Sequence, residues 1–484
     1  MRRELVTCVF FFMTGIVSGL AGYRTLILLA GIGVLLRRSI SRNEEKKLVT
    51  LLIIMLLSGA LRITISETFL YNEEIEKHIG LPYTCYGYIK DVKPAKDGRF
   101  KIIADVDGTG VMCIYKGEIN NCYSITGRKI LFTLRPRRAE DDYYIKCKGC
   151  AYISNINGFL LGDFRKSVFN DFKRWILLKQ HHFTEIFRER EGPHAFLTGI
   201  LFGNTSYMNE ETREIFSDNG TAHILAVSGL HIGILYGFYK WAQKKVRRKL
   251  FTCIYLCLLF IYGTAAGWSV SVVRAVIMII ILMTGEAVDR PYDMLTAALL
   301  SSFIILLKNP FYLFTAGFQM SFLAVISIAF LMPVFKEYMG TYWSMVFAIQ
   351  AGLAPYIMYT FDKCSFRGIL LNIPTVFLAG ILVPAGVAGF FIYMISGISF
   401  KLMESFLINM SELIIHINGM FAGSALLTSD AVITSPFYLV IYYSCIFYIS
   451  SEFFTVHRLR KEYLLLMKVY FILFIIAYIL SISI

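Results

Sequence analysis

Val270-Ser-Val-Val-Arg274-Ala-Val-Ile-Met-Ile-Ile-Ile-Leu-Met-Thr-Gly285 is almost unbroken hydrocarbon with one guanidinium set into it. No polar–apolar alternation runs through it, whereas a membrane barrel would alternate over about ten residues per strand. In lipid only helices and closed barrels satisfy every backbone polar group, so this stretch reads as a helix. About 20 such residues cross the ~30 Å hydrocarbon core. Comparable runs occupy 5–23, 48–65, 250–267, 311–332, 436–449 and 463–484. With 56% of residues hydrophobic and only 17% charged, the composition excludes an ordinary soluble enzyme. Arg2, Arg3 and the small residues at 18–22 imitate a signal peptide, but the apolar run 25–36 follows at once and reads as the returning half of a hairpin.

The formal charge of +14 is read chiefly as topology. Arg37, Arg38, Arg42, Lys46 and Lys47 form one basic loop. Lys240, Lys244, Lys245, Arg247, Arg248 and Lys249 form a second, and Arg458, Arg460 and Lys461 a third. One count of crossings places all three in the cytoplasm and leaves 66–192 outside. Arg62 and Arg274 are the exceptions, tolerated near helix ends or cavities.

Within the outer segment, 83–92, 99–106, 111–115, 129–134 and 143–153 are short runs rich in β-branched and aromatic residues, separated by glycine turns. Five such strands suggest a small barrel of the OB type. The expected fold class is therefore mainly α: a polytopic helical membrane protein with an inserted small extracellular β-barrel, OB-like domain. From Phe159 to Glu191, apolar residues at helical spacing alternate with bases, giving an amphipathic helix for the membrane surface or for packing on the membrane domain. Cys147 and Cys150, with Cys113 and Cys122, are read as a possible disulfide set; half a zinc site and free thiols are the alternatives.

The most informative stretch is Phe216-Ser-Asp-Asn-Gly220-Thr-Ala-His223-Ile-Leu-Ala-Val-Ser228-Gly-Leu-His231. Gly220 suits a helix end and Thr221 a cap for a following helix. That helix would carry His223, Ser228 and His231, with Gly229 permitting close approach of a neighbour. A polar stripe in an apolar crossing faces protein or a wet cavity. Arg274 reads as a pore or phosphate contact, or as the structural partner of an acid such as Glu286 or of a carbonyl. Gln319 and Ser321 read as pore lining or interhelical glue. Asn372 and Pro374, with Pro384 beyond, read as a broken helix or a plain kink. Ser228 beside His231 also admits a membrane hydrolase, although no orienting acid is apparent.

The 216–231 segment closely resembles the signature of the ComEC competence family, whose members form the membrane channel carrying transforming DNA into bacteria. Leu197-Thr-Gly-Ile-Leu-Phe-Gly203, Ser271-Val-Val-Arg274-Ala275, Arg290-Pro-Tyr-Asp-Met-Leu-Thr-Ala-Ala-Leu-Leu300, Asn309-Pro310, Gly317-Phe-Gln-Met-Ser321-Phe322 and Asn372-Ile-Pro374 follow in the family's order. The resemblance implies a channel for single-stranded DNA in the bacterial cytoplasmic (inner) membrane. Its path would include His223, Ser228, Gly229, His231, Arg274, Gln319, Ser321, Asn372 and Pro374. It divides the chain into N-terminal membrane helices (1–66), the OB-like domain (78–156), the surface helix (159–192), the helical channel domain (193–455) and a last membrane helix (456–484). Lys90, Lys93, Arg99, Lys101, Arg128 and Arg135, interleaved with aromatics, would bind the strand by charge and stacking. Many members end in a metallo-β-lactamase-like domain with an H-x-H-x-D-H motif, which this sequence lacks. The expectation is thus no enzyme activity, no metal and no cofactor. A DNA receptor and a separate nuclease on the outer face, and a cytoplasmic DNA-translocating ATPase, would be partners. A small-solute permease is the rival reading.

Overall fold

The computed structural model describes residues 2–21 and 43–449, except 96–97, 118, 120–121, 140–141, 165–166, 244–247, 366, 423–427, 430–432 and 434. The hairpin return at 25–36, the helix at 463–484 and most of the three basic loops lie outside the described residues. Among those described, five helices are long and apolar enough to cross a membrane: Val49–Thr68, Val270–Ala287, Ala316–Lys336, Thr341–Phe361 and Gly368–Ser396. The chain divides into two compact units.

The first unit comprises Met1–Glu189, Ile232–Phe318 and Val387–Ser399. Its N-terminal helix, Arg2–Ala21, lies against Asn43–Thr68 at backbone contact. A Cβ on Gly15 would sit 2.0 Å from the Leu56 carbonyl oxygen, and one on Gly59 2.1 Å from that of Phe12. Gly15 and Gly19 form the small-xxx-small spacing that lets apolar helices pack without a hydrophobic driving force between them. Arg62 is explained by a helix end. Its guanidinium donates to the carbonyls of Leu307 at 2.6 Å and Lys308 at 2.7 Å, orphan acceptors at the C-terminus of Met294–Lys308.

The same unit holds a seven-stranded mixed sheet: β1 Tyr83–Pro94, β2 Arg99–Val106, β3 Thr109–Lys116, β4 Arg128–Leu134, β5 Arg137–Arg138, β6 Cys150–Ile156 and β7 Phe159–Phe164. The order is β5-β6-β3-β2-β1-β4-β7, with only β3 and β6 parallel. The ladder does not close into a barrel: β4 and β6 are not paired, and a single bond from the Arg135 N–H to Ser154 Oγ, at 2.8 Å, links Arg135, just past the end of β4, to β6. The inward residues Ile102, Ala104, Val106, Val111, Ile130 and Leu134 are fully buried.

Two expectations change here. The strand expected over 143–153 is a short helix, Tyr143–Cys147, and then β6, because Asp142 caps the helix by accepting from the Ile145 N–H and Gly149 turns the chain at φ 73°. The helix expected from Phe159 begins at Val168, capped by Ser167, and its first residues instead extend the sheet as β7.

The second unit comprises Arg190–His231, Gln319–Gly386 and Phe400–Ile484. Thr341–Phe361 continues through Pro355, which has no N–H to offer the carbonyl one turn back. Tyr442 supplies the missing donor, its hydroxyl bonding the Ala351 oxygen at 2.7 Å, while Tyr443 bonds that of Gly352 at 2.8 Å. Gly368–Ser396 also runs unbroken through Pro374 and Pro384. The broken-helix reading of this segment is corrected: each proline removes only its own N–H, and the helix continues on both sides of it.

Candidate functional site

In the second unit the 216–231 stretch is a break between helices. Glu210–Asp218 ends at Gly220, whose φ of 68° suits glycine. One 3-10 turn follows, Ala222–Leu225, then extended backbone at Ala226, and Gly229–Gln243 begins only after Ser228. The expectation of one helix carrying His223, Ser228 and His231 is thereby corrected: His223 lies on the separate turn.

The break is held by polar bonds. Thr221 does not cap the turn; its hydroxyl donates to Asn418 Oδ1 at 2.7 Å. Asn219 Nδ2 donates to the Asn418 carbonyl at 2.8 Å, and Arg367 donates to Asn219 Oδ1 at 3.2 Å and to the Phe421 carbonyl at 3.0 Å. Asn219, Thr221 and Asn418 are fully buried. Buried amides left unbonded cost about 1–3 kcal/mol each, so this set fixes the geometry of the break. Gly368 lies directly over it, its Cα 3.4 Å from where a Cβ on Gly220 would sit. Sequence reading missed Arg367 and Asn418, since neither stands in a local pattern with 216–231.

Ser228 and His231 form a second device. Ser228 Oγ lies 2.9 Å from His231 Nδ1, and the Ser228 backbone N–H donates to the same nitrogen at 3.2 Å. A backbone N–H can only donate, so Nδ1 is the acceptor and the ring proton sits on Nε2. That nitrogen is buried on the side of the Ile200 carbonyl. The His231 ring reaching back to the Ser228 N–H is the reciprocal half of a capping box, with His231 in the place of the usual Glu or Gln, while the Ser228 hydroxyl donates to the same ring nitrogen. The pair therefore has a structural task that needs no third catalytic group. Gly229 supplies the first residue of the capped helix.

Gln319 accepts a short hydrogen bond from the Tyr356 hydroxyl, and Ser321 is on the same helix, Ala316–Lys336. Asn372 Oδ1 and Thr375 Oγ1 are buried without a hydrogen-bond partner among the described residues, either side of Pro374. His223, Ser228, Gly229, His231, Gln319, Ser321, Asn372 and Pro374 thus all belong to the second unit, and Arg274 to the first. Arg274 is buried near the start of Val270–Ala287. Its suggested partner Glu286 is 12 residues along the same helix, about 18 Å away at 1.5 Å per residue. Glu286 instead binds Lys240 Nζ at 2.9 and 2.8 Å and the Tyr236 hydroxyl at 3.1 Å.

On the sheet, the six basic candidates separate. Lys90 is paired with Asp105 at 3.3 Å, and the Arg128 guanidinium lies 4.7 Å from the Phe164 ring centroid. Lys93 stands opposite Lys101, and Arg99 opposite Lys116. Like charges directly opposed on neighbouring strands repel, and these pairs concentrate positive charge on one exposed face of the sheet. Arg135 lines a cleft of about 720 Å³. Among the aromatics, Phe132 is core, whereas Tyr86 is exposed with Lys129 over its ring.

Cys113, Cys147 and Cys150 are buried free thiols, and the side chain of Cys122 lies outside the described residues. Burial pushes the Cys147 thiol up to about 11 and that of Cys150 to about 12, and drives Cys113 higher still. Thiols so protonated are poor nucleophiles and poor metal ligands. Among the described residues no three His, Cys, Asp or Glu side chains cluster as a metal site.

The profile of competence proteins matches residues 200–453, more than half of the sequence and the part containing the capped break. The chain belongs to the competence protein family. ComE operon protein 3 of Bacillus subtilis (strain 168) is 30% identical over 201 residues, covering 40% of this chain and 26% of that protein. Recombination protein 2 of Haemophilus influenzae (strain ATCC 51907 / DSM 11121 / KW20 / Rd) is 29% identical over 108 residues, 20% of this chain and 14% of that one. The competence chain thus matches about a quarter or less of the length of either relative. No solved structure matches it.

Proposed function

We propose that this chain is a multi-pass channel of the bacterial cytoplasmic membrane that takes up transforming DNA as a single strand. The observation that carries the reading is the break at 216–231, inside the region matched to the competence family. Non-helical backbone and buried polar side chains stand there between the polar helix Glu210–Asp218 and the apolar helix Gly229–Gln243. Such irregular backbone at membrane depth is tolerated only where it is buried in protein or lines a water-filled cavity. Asn372 and Thr375, whose oxygens lack protein partners among the described residues, are offered as further groups for a wet path. Arg274 is offered separately as a phosphate contact. It is costly to bury in an apolar helix by a few kcal/mol, which argues that it has a task.

The sheet is assigned to the outer face and to the OB type. Antiparallel β1-β2-β3, β4 on the other edge of β1, and a parallel β3–β6 pair support that topology. Its basic face would receive the strand before passage. In this reading the chain transports without cleaving, and a DNA receptor, a nuclease and a cytoplasmic ATPase are separate partners. Deleting only this protein tests it: uptake of labelled DNA into the cytosol should be lost, and normal uptake would sink the proposal. Kilobase strands should pass, which a small-solute permease would not allow. The 2.9 Å approach of Ser228 to His231 keeps a hydrolase as the second reading.

A further inference from the structure

The register of the sheet places more than charge on its outer side. Pairing of Lys101 with Ile114, and of Ile114 with Asn155, sets one row across β2, β3 and β6. Arg99 and Lys116 make the next row, one residue pair nearer the β2–β3 strand ends. Arg137 pairs with Ile153, two residues before Asn155 on the same face, and Arg135 is two before Arg137 in extended chain. A cleft of about 720 Å³ beside the unclosed seam between β4 and β6 takes Ile114, Ile153 and Asn155 from this face, and Arg135, Arg137 and Asn157 line it with them. Pro82 and Ile114 add apolar surface. All four polar residues are exposed, and neither arginine is in an ion pair among the described residues. Arg138 next door, by contrast, is committed to Glu76.

We infer that this cleft is a nucleotide pocket that seats one base and its phosphate from a single DNA strand lying along the basic rows. The inference rests on the strand-binding role proposed above and adds a defined subsite to it. Two guanidiniums at alternate positions of an extended segment offer forked donors to phosphate oxygens. The apolar surface takes the face of a base, and the carboxamides of Asn155 and Asn157 carry both donors and acceptors for its edge. A wholly electrostatic groove would need neither amides nor an apolar wall. The size is right for one monomer, within the usual range of small-ligand pockets of about 300–1,000 Å³.

The test uses the full chain in nanodiscs of zwitterionic lipid at low salt. Labelled oligothymidylate, an abasic strand of equal length and inorganic phosphate are the probes. The wild type should bind oligothymidylate on the order of tenfold more tightly than the abasic strand, as one well-placed base contact gives. Asn155→Ala with Asn157→Ala should erase that preference while leaving abasic binding unchanged. Arg135→Gln with Arg137→Gln should weaken both strands. Photocrosslinking of a bromodeoxyuridine strand to the wild type should label the cleft, a readout that needs no variant. Equal binding of based and abasic strands, or a preference that survives the asparagine substitutions, overturns the pocket and leaves the basic face standing, provided Lys101→Gln with Lys116→Gln still lowers affinity. Absence of any strand binding by the wild type overturns both, and inhibition by inorganic phosphate alone reduces the cleft to an anion site.

Discussion

At the scale of single residues, Ser228 decides between the two functional readings. As a structural partner of His231 it needs only a side-chain donor to Nδ1, which the asparagine carboxamide also carries. As a nucleophile it needs a hydroxyl. Ser228→Asn should therefore retain most DNA uptake in a transformation assay, with protein levels close to wild type. Ser228→Ala should cost about 0.5–1.5 kcal/mol of local stability, the usual net contribution of one hydrogen bond. Uptake abolished in the asparagine variant at normal protein levels would revive the hydrolase. Glu76 offers a residue-scale test outside the membrane helices. Arg138 donates to its carboxylate, which holds Glu76 below the ordinary carboxylate range against a smaller opposing effect of burial, and Tyr152 donates to it as well at 2.7 Å. A folded-state value below the unfolded one stabilises above the unfolded value of 4.5, and the gain is lost as pH falls through the folded value. Arg138 is half exposed, so the gain is about 1 kcal/mol or less. Protease resistance of the sheet domain should therefore decline in wild type between neutral pH and about pH 3 more steeply than in Glu76→Gln. Parallel curves would show that the clamp adds nothing.

Among elements, the pair Arg2–Ala21 and Asn43–Thr68 packs with its backbones in contact. The atoms facing Gly15 and Gly59 are carbonyl oxygens of the opposite helix, which cannot swing aside as a side chain can. Gly59→Ala should force the helices apart and lower the amount of protein in the membrane fraction, with Gly15→Ala behaving alike. Gly98→Ala provides the contrast: its φ of 66° strains alanine, but nothing lies within 4 Å of the new methyl, so accumulation should fall much less. Equal accumulation of Gly59→Ala and wild type would remove the close packing from the account. The glycine spacing was visible in the sequence, yet spacing alone does not say which helix is the partner.

For the whole molecule, the orientation proposed from the basic loops can be tested directly. Reporter fusions after Lys245 and Arg460 should behave as cytoplasmic, and one after Arg137 as external. A cytoplasmic signal at Arg137 would put the sheet, and with it the proposed strand-binding face, on the wrong side. The fusions also test the crossing count directly, since five helices meet the length and hydropathy of a span among the described residues and several apolar helices are shorter.

What the sequence settled by itself was whatever depends on neighbours a few residues away. Hydropathy marked the helices 270–287 and 436–449 nearly to their ends, β2 came out at 99–106, and Gly220 was assigned to a helix end because its conformation is local. The competence signature was also legible, being a fixed order of short motifs. Local pattern misled where a cap or turn overrode periodicity, as Asp142 and Ser167 did. It was silent where the partners are remote in the chain. Asn418 stands 199 residues from Asn219, and Arg367 stands 148 from it. The cleft gathers Pro82, Ile114, Arg135 and Asn157 from four segments. No periodicity encodes such meetings. They exist because buried donors and acceptors must be satisfied and because strand register carries residues of one parity to one face, and both are properties of the folded chain.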